Sequence, residues 1–144
     1  MEKKIWFDMD GTMVDFYGVI GWLPMLRAYD PTPYEVAKPM VNMANLARLL
    51  HKAQRLGYEI GIISWLSKCS NDEYDQKVTQ AKIEWLRVHL PSVTFDEIKI
   101  VAYGTPKHEL CQGILFDDEK PNRDNWGLGA YEPKDIMEVL RGLR

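Results

Sequence analysis

The sequence predicts a single α/β domain built on a mostly parallel sheet, and three observations predict it. Short apolar runs suited to buried strands alternate with longer segments of helical period. One helix-like segment ends in glycine and is followed at once by a strand-like run, as in a β-α-β unit, which makes that strand parallel to the first. The apolar runs also stop at residues able to do chemistry, so those residues share one rim of the sheet. At 144 residues the chain is the size of one domain and long enough to bury a core. A small insertion at about 14–39 separates the first strand from the rest.

The first strand is Ile5-Trp6-Phe7, and it runs into Asp8 and Asp10 just before Gly11. In an extended chain, positions two apart point the same way. Both carboxylates can therefore face one point beyond the strand while Gly11 turns the backbone. That geometry suits phosphoryl transfer. Asp8 can attack phosphorus and hold the phosphoryl group, while Asp10 donates a proton to the leaving oxygen and later takes one from water. Two anions meeting a phosphate need a cation, so Mg2+ is expected nearby. Asp-x-Asp-Gly is also an ordinary turn, so the reading depends on what ends the later strands.

From Met13 to Pro39 no period is sustained, and Pro24, Pro31, Pro33 and Pro39 forbid one long helix. Short helical pieces are expected around Val19–Tyr29 and Tyr34–Lys38. The aromatics Phe16, Tyr17, Trp22, Tyr29 and Tyr34 can line a substrate pocket, although for any one of them packing is the simpler expectation. Val41–Leu56 reads as a helix with Leu46, Leu49, Leu50, Ala53 and Leu56 on one stripe and Gly57 as its C-cap. The strand Tyr58–Ser64 follows. Its terminal hydroxyl can bond a phosphoryl oxygen at the rim, though serine is also a common strand terminator.

Glu73–Leu90 reads as a helix with Val78, Ala81, Trp85 and Leu86 inward, stopped by Pro91. The strand Ile98–Ala102 leads through Tyr103-Gly104-Thr105-Pro106 to Lys107, an ammonium for the phosphate and for the Asp8 carboxylate. Lys82 competes for that role but falls inside a helix, so Lys107 is preferred. The strand Gly113–Phe116 ends in Asp117-Asp118-Glu119. There Asp117, Asp118 or both supply hard oxygen ligands to Mg2+, together with Asp8 and the backbone carbonyl of Asp10. Lys120–Gly129 is expected to be a loop with Trp126 over the site, and Pro133–Leu143 a closing helix. Strand ends bearing Asp-x-Asp, Ser, Lys and Asp-Asp form a conjunction that surface loops seldom produce.

With these residues the chain resembles the haloacid-dehalogenase-like hydrolase superfamily. Asp8-Met9-Asp10-Gly11-Thr12 is similar to its nucleophile motif, Ser64 to the second motif, Lys107 to the third and Asp117-Asp118 to the fourth. The resemblance implies a Rossmann-like three-layer sandwich with a small cap, an aspartyl-phosphate intermediate and a Mg2+ cofactor. It implies Gly11, Thr12, Ser64 and Lys107 at the phosphate and Asp8, Asp10, Asp117 and Asp118 at the metal. Members that cleave carbon–halogen bonds typically lack the second aspartate, so Asp10 points to a phosphatase. The last third is similar to the 5′(3′)-deoxyribonucleotidase type, which implies a nucleotide or other small phosphorylated substrate. Those enzymes carry a substantial helical cap, whereas here only Val14–Pro39 is available, which implies a more open site or one covered by a second chain.

Composition bounds the alternatives. The chain is 46% hydrophobic and 27% charged, which excludes a disordered or fibrous protein. A net charge of −3 removes the electrostatic footprint of a nonspecific nucleic-acid binder. Cys69 and Cys111 have neither metal-ligand nor redox spacing, so free thiols are expected. No apolar run approaches the roughly 18 residues of a membrane span, and a cytoplasmic protein is expected. Two rival readings share the parallel sheet: a receiver-like phosphoacceptor and a non-catalytic binding domain. A receiver carries its phosphorylated Asp on a middle strand, where this chain has Ser64 and Tyr103.

Overall fold

The computed structural model describes residues 2–144. Its centre is a five-stranded sheet of β1 (Lys4–Phe7), β4 (Glu59–Trp65), β5 (Glu97–Val101), β6 (Ile114–Phe116) and β7 (Ala130–Tyr131), in the order β5-β4-β1-β6-β7. Every pair in it is parallel. Phe7 is in register with Ile62 on one side and Phe116 on the other. Asp8 therefore leaves the sheet between β4 and β6, level with the start of the Asp117-Asp118 pair.

Strand alternation divides the core into two faces. Ile5, Phe7, Ile60, Ile62, Ile114 and Phe116 meet α3 (Met43–Arg55), α4 (Asp72–His89) and α7 (Ile136–Arg141) in one large apolar cluster. Each such side chain, fully buried, contributes about 1.5–3 kcal/mol, so this face supplies most of the stabilisation. Side-chain oxygens of Asn42 and Asn71 cap α3 and α4, accepting from the backbone N–H of Asn45 and Tyr74. Asp72, Glu73 and Asp75 add negative charge at the positive end of α4.

The opposite face is thin. Trp6, Ile63, Cys111 and Leu115 pack with Trp126 and Ala130 beneath two short helices, α5 (Lys107–Leu110) and α6 (Lys120–Trp126). Trp6 lies across its register partner Gly61, and a Cβ at Gly61 would sit 2.6 Å from the indole Cε3. The indole N–H donates to the Gln112 carbonyl at 3.0 Å, and the Lys99 ammonium lies over the ring. One large side chain thus fills space that a helix would otherwise occupy.

The segment after β1 departs from the sheet and returns to it. Val14–Asp15 (β2) pairs antiparallel with Lys38–Pro39 (β3), and between them lie α1 (Trp22–Arg27) and α2 (Thr32–Val36). The two helical pieces expected from sequence are present but shorter: Pro24 and Pro33 lie in their first turns, and Tyr29, whose φ is +56°, turns the chain between them. The insertion is not a separate globule: Phe16, Leu26, Tyr34 and Ala37 join the main core, and the Trp85 indole donates to the Ala37 carbonyl at 2.8 Å.

Two elements differ from the sequence expectation. Residues 120–126 form helix α6 rather than a loop, begun by Pro121 in its first turn, and residues 130–131 add a fifth strand. Trp126 does not pack over the strand-end carboxylates. Its indole donates to the Gly113 carbonyl at 2.9 Å and its ring joins the thin face, because α6 turns that side chain toward Leu115. The closing helix starts with a 3-10 turn at Pro133–Asp135 before α7. Among the described residues no helix is long and apolar enough to cross a membrane.

Candidate functional site

Beyond the last residue of β1, the backbone N–H of Asp8 still bonds the Phe116 carbonyl at 2.9 Å, which holds Asp8 to the sheet. The chain then wraps tightly, with the N–H groups of Thr12, Met13 and Val14 all converging on the Met9 carbonyl. Gly11 makes this turn with φ +79°, and a Cβ there would lie 2.8 Å from the Asp118 carboxyl carbon. Only glycine permits both the backbone angle and the approach of that carboxylate. Thr12, fully buried, lies 3.1 Å from Asp8 Oδ2 and 3.3 Å from Asp118 Oδ1, and its oxygen accepts from the Asp118 N–H.

Lys107 arrives at the start of α5. Its Nζ is 3.0 Å from Asp8 Oδ1 and 2.7 Å from Asp117 Oδ2. Burial works to lower its pKa, but Asp8 and Asp117 outweigh it and hold the ammonium above its ordinary value. Asp117 is fully engaged: Lys107 and Asn122 donate to Oδ2, and the Glu119 N–H donates to Oδ1. Burial, then the charge of Asp8, pushes Asp117 up, against the pull of Lys107. Asp118 is pushed up to about 8, first by burial and then by Asp8. One carboxylate oxygen from each of Asp8, Asp117 and Asp118 lies within 4.8 Å of the others.

Asp10 sits outside that trio and meets a different cation. The Nζ of Lys82 is 3.0 Å from Asp10 Oδ2, 2.6 Å from Ser64 Oγ and 2.7 Å from the Trp65 carbonyl, with the Tyr34 ring at 5.3 Å. Burial raises the Asp10 pKa, and Lys82 is the main influence opposing it. The edge therefore holds two buried lysines, one bridging Asp8 and Asp117 and the other pairing Asp10.

These groups open into a cavity of about 460 Å³. Asp8, Asp10, Asp118 and Lys107 lie at its floor, and Phe16, Tyr17, Trp22 and Tyr34 of the insertion form one wall. Trp65 and Tyr103, with ring centroids 5.1 Å apart, stand on another side. Tyr29 instead packs edge-on against Tyr74. A broader groove of about 760 Å³ runs along the outer face of α4, away from the carboxylates.

No known protein family matches this chain, and no curated protein matches it either.

The sequence-predicted residues Asp8, Asp10, Gly11, Thr12, Lys107, Asp117 and Asp118 meet at this edge. Ser64 is placed differently: it is fully buried beneath Lys82, and the serine on the cavity wall is Ser67, one residue past Leu66. Lys82, ranked behind Lys107 from sequence, lies within the site. Its signal was present: it stands four residues after Val78 and three before Trp85, a cation on the helix's apolar stripe. Asn122, buried against Asp117, carries no signal in the sequence, because its seven-residue helix is too short to show a period.

Proposed function

We propose that this chain is a Mg2+-dependent phosphomonoesterase of the haloacid-dehalogenase-like kind, with Asp8 as nucleophile and Asp10 as general acid and base. The observation that carries the reading is the convergence of a Lys107-paired Asp8, a separately paired Asp10 and the Asp118 carboxylate on the floor of one cavity. Pairing separates the two aspartates by role. Lys107, 3.0 Å from Asp8 Oδ1, orients that carboxylate for attack. Burial favours the proton on Asp10, and a proton to give is what a leaving alkoxide needs.

In the first step a carboxylate oxygen of Asp8 forms a bond to phosphorus as the bond from phosphorus to the ester oxygen breaks. Asp10 delivers its proton to that oxygen, and the alcohol departs. In the second step Asp10 takes a proton from water as the water oxygen attacks phosphorus, which releases inorganic phosphate and frees the Asp8 carboxylate. Lys107, and the hydroxyl of Thr12 beside it, hold Asp8 in place. Ser67 lines the cavity, where its hydroxyl can donate to a phosphoryl oxygen.

The donor set fits a hard divalent cation, since three carboxylates offer oxygen atoms within 4.8 Å of one another. Asp8 and Asp118 would hold it directly, because Asp118 lines the cavity whereas both oxygens of Asp117 are already engaged. When bound, Mg2+ supplies charge neutralisation between carboxylates and phosphate.

The test is release of inorganic phosphate, with and without Mg2+, from deoxynucleotides, ribonucleotides, sugar phosphates and phosphopeptides. Asp8→Asn is run in parallel. Mg2+-dependent release that vanishes in Asp8→Asn is expected. The Asp10→Asn protein should retain labelling but turn over about 10²–10⁴-fold more slowly. Full activity of Asp8→Asn would end the covalent mechanism, and a stable phosphoryl label without release would favour a phosphoacceptor.

A further inference from the structure

The cavity carries charge that hydrolysis of a simple phosphomonoester does not use. Lys107 is committed to Asp8 and Asp117, and Lys82 to Asp10. Two more cations line the same cavity: Arg27, the last residue of α1, and Lys68, in the loop after β4. Among the described residues neither forms an ion pair or a side-chain hydrogen bond, although surface cations elsewhere, such as Lys77, Lys120 and Lys134, do find carboxylates. The carboxylates of the cavity lie at its floor and on the adjoining Glu119, on chain that follows β1 and β6. Arg27 and Lys68 instead come from the insertion and the loop after β4; the insertion and the end of β4 also supply the aromatic walls through Tyr17, Trp22 and Trp65. Unpaired cations beside flat apolar surface make a place for an anion carried on a ring-bearing group.

We infer that the cavity selects a doubly phosphorylated small molecule: one phosphate at Asp8, a planar aromatic group against the insertion wall, and a second phosphate between Arg27 and Lys68. The inference rests on the phosphomonoesterase reading for the placement of the first phosphate. A cavity of about 460 Å³ is of the size that takes a compact ligand of this kind. The chain's net charge of −3 works against long-range attraction of a polyanion, which favours a small molecule over the end of a nucleic-acid strand.

The experiment compares a nucleoside 3′,5′-bisphosphate with the matching 5′-monophosphate, and both with a 5′-phosphorylated octanucleotide. The wild type and Arg27→Gln/Lys68→Gln are each assayed for phosphate release. In parallel, binding to the Asp8→Asn protein, with and without the two Gln substitutions, is followed by quenching of tryptophan fluorescence, since Trp22 and Trp65 line the cavity. Expected is a bisphosphate advantage of about tenfold in kcat/KM, and a similar one in Kd, that falls toward unity in the double variant. The same discrimination in Kd without phosphate release from any substrate would overturn the hydrolase reading and leave the second-anion site standing. Release with equal kcat/KM for the two nucleotides, or an advantage that survives in the double variant, would overturn this inference and leave the hydrolase. A larger advantage for the octanucleotide than for the bisphosphate would overturn the small-molecule assignment.

Discussion

Lys82→Met isolates the cation that sequence alone ranked second. The wild-type ammonium is 1% exposed and makes three contacts of 2.6–3.0 Å, to Ser64, the Trp65 carbonyl and Asp10. Methionine keeps most of the volume, so the loss is electrostatic. Breaking a buried pair by removing one partner costs about 3–5 kcal/mol. Asp10 is 18% exposed and can escape by taking a proton, which lowers the expectation to about 2–4 kcal/mol near neutral pH. The pH dependence follows from the direction of the Asp10 shift. Burial already raises its folded-state pKa against the opposing charge of Lys82, and removing Lys82 raises it further. Such a carboxyl contributes stability that is fully present below its unfolded pKa and is lost as pH rises through the raised folded value. The deficit of Lys82→Met relative to wild type should therefore be small at pH 5 and grow toward pH 8. Urea unfolding in chelator at the two pH values measures it, with unchanged m-values licensing the comparison. Adding Asp10→Asn should recover about half of the loss at the higher pH. An equal deficit at both pH values, or no recovery in the double variant, would refute the pairing argument.

Two other perturbations probe the same edge and the thin face. Asp118, pushed up to about 8 by burial and by Asp8, makes the metal-free protein lose stability as pH rises from the ordinary carboxylate range through about 8. Thermal unfolding should show that decline in chelator and its suppression by millimolar Mg2+, and a curve indifferent to the cation would count against a carboxylate metal site. Gly61→Ala drives a methyl into the Trp6 indole and strains its bond to Gln112, so urea unfolding should show a loss of about 1–3 kcal/mol, largely relieved by adding Trp6→Leu.

What the sequence made legible follows from the range over which each signal acts. The opening strand and its acidic end are local: three apolar residues, two carboxylates two apart and a glycine state their geometry within eight positions. The strands β4 and β5 and the helices α3 and α4 are long enough for periodicity to identify them. Helix α6 and strand β7 are too short for any period, and the surface that Trp126 covers is set by the turn of α6, which no local signal announces. Lys82 shows a deeper limit. A lysine on an apolar stripe announces an anion somewhere, but only the packing of α4 against β4 and the Asp10 turn says which one. Arg27 and Lys68 come to one cavity solely through the tertiary placement of the insertion, and nothing in their local sequence marks them.

The neck of the insertion has its own consequence. Val14 pairs with Pro39, and the Met40 N–H bonds the Met13 carbonyl at 2.9 Å, so the points of departure and return are neighbours. The groups that would break the phosphorus–oxygen bond lie on the sheet side of that neck, and the aromatic wall with Arg27 lies on the other. So narrow a junction lets the insertion be lengthened, shortened or exchanged while the carboxylate edge keeps its register. The strongest brake on such exchange is the bond from Trp85 to Ala37 and the apolar surface beneath it, which any replacement would have to cover again. The insertion wall of the cavity and the carboxylate edge thus sit on lengths of chain joined through one short antiparallel pairing.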